Sequence, residues 1–103
     1  MIITCPPQIL EYCYSARTAE EYHELRKDMD ELLGAWKHPN ESTVLDIQQV
    51  LWDNGLMRAA AACNCLIAAY AVVNDAVVLN SDQDFGYIET ATNGTVRQEY
   101  IAG

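Results

Sequence analysis

The sequence contains few basic residues. Six lysines and arginines stand against fifteen aspartates and glutamates, which gives a formal net charge of −9 at pH 7. Binding of nucleic acid by charge alone relies on Lys and Arg, so this balance argues against simple electrostatic capture of nucleic acid. It leaves open a metal-dependent nuclease, because divalent ions can fill a carboxylate cluster that otherwise repels phosphate. It also suits a basic protein partner.

Long apolar runs are missing as well. The longest, residues 59–73, is interrupted by Asn64 and is rich in alanine, whereas a membrane span needs about 20 apolar residues. The N-terminus has no basic flank followed by a long apolar region, so we expect no signal peptide. With 103 residues, half of them hydrophobic, we expect one domain over residues 1–103, located in the cytoplasm.

Four cysteines, Cys5, Cys13, Cys63 and Cys65, lie in apolar or helical contexts. In a reducing compartment we expect them to be small buried hydrophobes. A structural zinc ion needs four converging ligands, and a Cys-x-Cys pair within a helix points its side chains about 200° apart. This geometry argues against a zinc site.

Periodicity and capping residues predict an α/β chain of five helices and two strands. Thr18 and Glu21 form a capping box, Asn40 caps the third helix, and Gly55 ends it. Residues 35–38 are either a short strand or a connector. The predicted helices cover residues 7–15, 18–34, 40–54, 59–74 and 81–90, and the predicted strands cover 76–80 and 95–101.

The most informative stretch is the fourth helix with the strand and loop that follow it. The helix is apolar on every side and must be buried, and residues 77–79 form an aliphatic run typical of a strand covered on both faces. Asp82 and Asp84 therefore lie at the carboxyl edge of a parallel sheet, where open α/β folds place ligand sites. The alternative is that both are ordinary acids at a helix start, favoured by the helix dipole. Glu11, beside the apolar stripe of the first helix, is the third carboxylate of interest.

Four segments together resemble a VapC-type toxin of the PIN-domain family, over nearly all 103 residues. Thr-Cys-Pro-Pro, Leu-Glu and Tyr-Ser-Ala-Arg within residues 4–17 resemble the segment that bears the family's second acid. Residues 45–58 resemble its next helix and turn. Cys-Asn-Cys-Leu-Ile-Ala-Ala at 63–69 takes the place of its Pro-Asp-Leu-Leu-Ile-Ala-Ala motif, and Val-Leu-Asn-Ser-Asp-Gln-Asp-Phe at 78–85 resembles its strand and acidic loop.

The resemblance implies a three-layer αβα fold with a short parallel sheet and a metal-dependent endoribonuclease. Such enzymes cluster three or four acids around one or two Mg²⁺ or Mn²⁺ ions, which activate water and neutralise phosphate charge. By position, the catalytic and metal-binding acids are Glu11, Asp82 and Asp84. A toxin of this class also implies a cognate antitoxin, an RNA substrate and a homodimer, with no membrane.

Two arginines match positions that are common in such toxins. Arg17 and Arg58 are expected either to contact RNA phosphate or, as readily, to form structural ion pairs.

Two departures from the family pattern bear on activity. Asn64 stands where the motif has its aspartate; its amide can offer a carbonyl oxygen to a metal but brings no charge and is a poor base. The family's first, central strand, with its own aspartate, has no counterpart after Met1. We therefore expect an incomplete PIN-like domain with weakened metal binding.

Three interpretations follow from the sequence. The first is a VapC-like ribonuclease homologue that is weakened or inactive. The second is a non-catalytic PIN-like module that binds an antitoxin or itself. The third is either a decayed gene or a wrongly assigned start, and in the latter case upstream coding sequence supplies the strand and its acid.

Overall fold

A computed structural model gives the structure of residues 3–31, 33–56, 58 and 60–101. The chain divides into two units, residues 1–36 and residues 37–103. Each unit contains one pair of short parallel strands, and the described residues form five α-helices. The chain is therefore mixed α/β, as predicted. No helix among the described residues combines the length and the apolar character needed to cross a membrane.

The first unit places two helices between two short strands. Its first helix begins with two prolines, whose missing N–H groups cost nothing at that position. Its second helix is capped by Thr18, whose Oγ1 accepts a hydrogen bond from the Glu21 N–H at 3.1 Å. The elements are β1 (Ile3–Thr4), α1 (Pro6–Tyr14), α2 (Ala19–Asp30) and β2 (Leu33–Gly34).

The second helix is shorter than predicted. It ends at Asp30 rather than at Gly34, because Leu33–Gly34 pairs in parallel with β1 and its backbone joins a strand ladder. Leu32 lies outside the described residues. The segment 35–38 is a connector, not a strand; the Lys37 N–H and carbonyl both bond the side chain of Asn74, at 3.0 and 2.9 Å.

The second unit consists of three helices and one parallel strand pair. Its strands are joined by a helical crossover and pair in register from Val77 with Arg97 to Asn80 with Tyr100. As predicted, Asn40 caps the first of its helices by accepting the Thr43 N–H. The elements are α3 (Glu41–Asp53), α4 (Ala62–Val73), β3 (Val77–Asn80), α5 (Asp84–Ala91) and β4 (Arg97–Tyr100).

The core of the second unit lies where α3, α4 and α5 pack against one another. The largest fully buried side chains are Leu51, Cys65, Ile88 and Val96. The prediction that the fourth helix is buried is confirmed for most of it, since its residues beyond Ala62 are either buried or half-buried. Its apolar composition therefore serves the core.

The prediction that β3 is covered on both faces is wrong. Val78 is 5% exposed, but Val77 and Leu79 are 44% and 45% exposed. Gln98, the register partner of Val78, bonds the side chain of Glu89 on α5. Successive strand residues point to opposite faces. The Val78 face is therefore covered, where α4 packs on β3 and α5 packs on β4, and the face of Val77 and Leu79 is open.

Candidate functional site

Asp82, in the loop after β3, and Asp84, the first residue of α5, lie just beyond the carboxyl end of a parallel strand, where they were predicted. Two consecutive side-chain turns shape this loop. Asn80 Oδ1 accepts the Asp82 N–H at 3.2 Å, and Asp82 Oδ1 accepts the Asp84 N–H at 2.9 Å. Asx turns of this kind let a side chain replace a backbone turn. They bring the two carboxylates to the same side of the loop.

Asn64 of α4 joins the two carboxylates. Its Nδ2 lies 2.9 Å from Asp82 Oδ2 and 3.0 Å from Asp84 Oδ2 and donates to both. Asn64 is the buried polar residue of the described core, with an exposed fraction of 7%. An amide nitrogen has two hydrogens, so it can give one to each carboxylate. The three side chains form one polar cluster, which we call the Asn64 cluster.

The amide has one favourable orientation in this cluster. Its carbonyl oxygen, turned towards Asp82 and Asp84, would face two anionic acceptors without a hydrogen between them. Hydrogen bonds to a charged acceptor are the stronger kind. Asn64 therefore acts as a neutral double donor to a pair of carboxylates.

Asp84 also accepts a hydrogen bond from the backbone at the start of α4. Its Oδ2 accepts the Ala61 N–H, at 2.9 Å, where the first N–H groups of that helix lack partners within it. The fifth helix begins at Asp84 rather than at the predicted residue 81, and its cap residue, Gln83, makes no side-chain bond to the helix. The oxygens of Asp82 bond the Asp84 N–H and Asn64 instead.

The neighbouring thiol is inert. Burial raises the pKa of the Cys65 thiol, and the charge of Asp84 raises it further. The thiol therefore stays protonated at neutral pH. All four cysteines are free; Cys5, Cys13 and Cys65 are buried, as predicted, and Cys63 is half-buried.

The Asn64 cluster does not fit a resident divalent ion as it is arranged. Three of its four carboxylate oxygens accept N–H bonds, and its third side chain presents a donor where an ion needs an oxygen. In the part of the chain that the structure describes, no group of three or more His, Cys, Asp or Glu side chains is placed to hold a metal ion.

The other predicted site residues belong to other segments of the chain. Glu11 is exposed on α1, in the first unit, and Arg17 is exposed in the turn that follows α1. Arg58 is exposed between α3 and α4 and has a left-handed backbone, with φ of 64°. Among residues 3–31, 33–56, 58 and 60–101, the ion pair joins Arg97 to Asp75. Neither Arg17 nor Arg58 takes part in one there.

Two residues that support the loop, Asn80 and Gln98, were not identified from the sequence. Asn80 bonds both the loop and Gln98 on β4. A signal for Asn80 was present, because Asn or Asp at residues 80, 82 and 84 is the pattern of consecutive Asx turns. Gln98 has no such signal, since its role depends on the pairing register of β3 with β4.

No protein-family model matches this chain, and no curated protein matches it either.

Proposed function

We propose that this chain is a homologue of the VapC-type PIN-domain toxins in which metal-dependent RNA cleavage is weak or absent. The observation that carries the proposal is the pair of hydrogen bonds from Asn64 to Asp82 and Asp84. Two acids lie together as such a nuclease requires, but an amide supplies hydrogen-bond donors between them. The three-layer PIN arrangement, one domain over residues 1–103 and action on cytoplasmic RNA belong to the same proposal.

The amide weakens ion binding for two reasons. Asn64 brings no charge, and hard divalent ions are held largely by carboxylate charge. To offer its carbonyl oxygen to an ion, the amide must also turn over and give up both N–H bonds to Asp82 and Asp84. Each lost bond to a charged group costs about 1.5–3 kcal/mol. Mg²⁺ or Mn²⁺ therefore binds weakly in this proposal, and Glu11 enters as a further ligand by resemblance alone.

The test compares the natural chain with Asn64→Asp. Mn²⁺ binding is measured by isothermal titration calorimetry, and cleavage of a structured RNA is measured in Mn²⁺ with and without a chelator. We expect at most weak binding and no cleavage from the natural chain, and clear Mn²⁺ binding by Asn64→Asp. Gln49→Glu, an exposed amide-to-acid change on α3, is the matched control and should bind like the natural chain.

A double variant tests whether Mn²⁺ binds at the Asn64 cluster. Asn64→Asp combined with Asp82→Ala should lose the Mn²⁺ binding that Asn64→Asp gained. Cleavage by the natural chain that needs both Mn²⁺ and Asp82 and is as fast as that by Asn64→Asp would overturn the proposal, because the amide would then not weaken the site.

A second candidate function, protein binding, is favoured by an apolar cleft in the first unit. The cleft lies between α1 and α2 and has a volume of about 340 Å³. Leu10 lines it and is 68% exposed. Its other lining residues are Ile9, Cys13, Tyr22, Arg26, Met29 and Asp30. An exposed apolar side chain beside an apolar cleft on the same surface can be self-complementary in a two-fold dimer, so we propose self-association through this cleft.

Light scattering tests this second candidate. The chain should be a dimer at micromolar concentration, and Leu10→Asp should make it a monomer. Leu45→Asp, at another exposed leucine on α3, is the control and should leave the dimer intact. A monomeric natural chain would rule out self-association through the cleft.

A further inference from the structure

A line of side-chain hydrogen bonds runs behind the Asn64 cluster. Asn80 Nδ2 donates to Gln98 Oε1 at 2.9 Å and to the carbonyl oxygens of Val78 and Glu99 at 3.2 and 3.3 Å. Its Oδ1 accepts the Asp82 N–H at 3.2 Å. Both ends of the Asn80 amide are therefore in use, one towards β4 and the other towards the loop.

Glu89 of α5 begins this line. Its carboxylate accepts from Gln98 Nε2 at 3.3 Å and from the Gln98 backbone N–H at 3.2 Å. An ionised carboxylate only accepts hydrogen bonds, so Gln98 must turn its nitrogen towards Glu89. Its oxygen then faces Asn80.

The orientation is passed on from one amide to the next. Because Gln98 presents an oxygen, Asn80 must present its nitrogen to Gln98 and its oxygen to the Asp82 N–H. The turn that places Asp82 beside Asn64 thus depends on the Glu89 carboxylate of α5, the helix that follows the turn. The three residues of this line, Asn80, Glu89 and Gln98, are half-buried. An unpaired polar group is costly in such a position.

We propose that Asn80 is a positioning residue for the pair Asp82 and Asp84, and that Glu89 sets its orientation through Gln98. The inference deepens the proposed function and rests on it, in that the pair is the remaining part of a metal site. Outer partners of ligating carboxylates typically change metal affinity about 10- to 100-fold when they are removed. When Asn64→Asp supplies a third carboxylate, removal of Asn80 should therefore weaken ion binding by the pair.

The first test reads the Asn64 side-chain amide by ¹⁵N NMR. Asn80→Ala should move the Asn64 NH₂ resonances and speed hydrogen exchange of the Asp84 N–H roughly fivefold or more. Exchange of the Leu51 N–H, in the core of α3, should stay unchanged. Asn54→Ala, which removes a side-chain bond to Val50 at the end of α3, is the control and should leave the Asn64 resonances in place.

A polarity exchange separates positioning from simple packing. Gln98→Glu places a carboxylate against Glu89, so it should disturb the Asn64 resonances although Gln98 does not contact the loop. Adding Glu89→Gln places an amide donor at residue 89, opposite the new carboxylate at residue 98. That carboxylate also accepts the hydrogen bond from Asn80, so the double variant should recover the natural spectrum. Unchanged Asn64 resonances in Asn80→Ala and in Gln98→Glu would overturn the role of Asn80.

The second test measures Mn²⁺ affinity in the Asn64→Asp background. Adding Asn80→Ala should weaken Mn²⁺ binding about 10- to 100-fold. A failure of Asn64→Asp itself to bind Mn²⁺ would overturn the proposed function alone. The NMR result would still decide whether Asn80 positions the loop.

Discussion

The side-chain nitrogen of Asn64 lies 2.9 Å from Asp82 Oδ2, and the contact is a hydrogen bond from a buried amide to a carboxylate. The same nitrogen bonds Asp84. A donor at this position offsets the repulsion between two neighbouring carboxylates without a bound ion. The identity of residue 64 therefore decides whether the cluster is stable without an ion or depends on one.

Asn64→Asp should destabilise the ion-free protein. The change replaces a double donor with a third carboxylate at a buried position, so like charges meet where hydrogen bonds were. We expect the free energy of unfolding at pH 7 to fall by about 3 kcal/mol, and Mn²⁺ to restore part of the loss by binding the folded state. Urea unfolding in EDTA and in Mn²⁺ measures both effects. The control, Gln49→Glu, should change the free energy of unfolding by less than about 0.5 kcal/mol. Equal stability of Asn64→Asp and the natural chain would contradict a stabilising role for the hydrogen bonds of the Asn64 cluster.

Leu51→Ala should destabilise the second unit strongly. Leu51 has no exposed surface, and its truncation leaves a cavity in a core that relaxes only in part. We expect a loss of about 2–5 kcal/mol in the free energy of unfolding. The matched control is Leu45→Ala on the exposed side of the same helix, which should lose less than about 1 kcal/mol. Similar losses from both would place Leu51 outside the core.

Two substitutions of Asp75 distinguish the contribution of an ion pair to stability from that of backbone strain. The Asp75 carboxylate lies 2.7 Å from Arg97, but the Asp75 side chain is 96% exposed and that of Arg97 is 49% exposed, so the pair contributes about 0–1 kcal/mol. Its φ of 51° is left-handed, which glycine adopts without steric cost. Asp75→Ala and Asp75→Gly both remove the pair. We expect Asp75→Gly to be about 1 kcal/mol more stable than Asp75→Ala in urea unfolding; the reverse order would exclude strain at this residue.

The Lys37 backbone should exchange faster when Asn74 is removed. Asn74 bonds both the N–H and the carbonyl of Lys37 with its side-chain amide. Asn74→Ala breaks both bonds, so hydrogen exchange of the Lys37 N–H should increase roughly fivefold or more. Asn54→Ala is the control. An unchanged rate would show that the N–H is protected by something other than Asn74.

Much of the fold was predictable because its signals are local. The caps at Thr18 and Asn40 need only residues three positions away, and both helices begin where these caps predict. The end of α2 was not predictable, because Leu33–Gly34 leaves the helix to pair with a strand near the N-terminus. Likewise, an aliphatic run cannot tell whether helices cover one face of β3 or both.

The candidate site, like the fold, was predictable only in part. Asp82 and Asp84 were identified from their place after a strand, and Asn64 from the place of a family motif. The direction in which the Asn64 amide points depends on two acceptors that are 18 and 20 residues away in sequence. The contribution of Gln98 depends on strand register, which a single sequence does not specify. The place after a strand and the family resemblance therefore indicated Asn64, Asp82 and Asp84, but not how their hydrogen bonds are directed.

The buried thiol of Cys65 should make the protein less stable in alkaline solution. Burial, with a further contribution from Asp84, raises the pKa of this thiol above its ordinary value of 9.0. Above pH 9 the unfolded chain loses the proton while the folded chain keeps it, so the folded state binds more protons and its stability falls as pH rises towards the raised pKa. Urea unfolding from pH 7 to pH 10.5 should show this decline, and Cys65→Ala should make it shallower. Cys63→Ala, at the half-buried neighbour, is the control; an unchanged slope in Cys65→Ala would mean that the thiol ionises as readily in the folded chain as in the unfolded one.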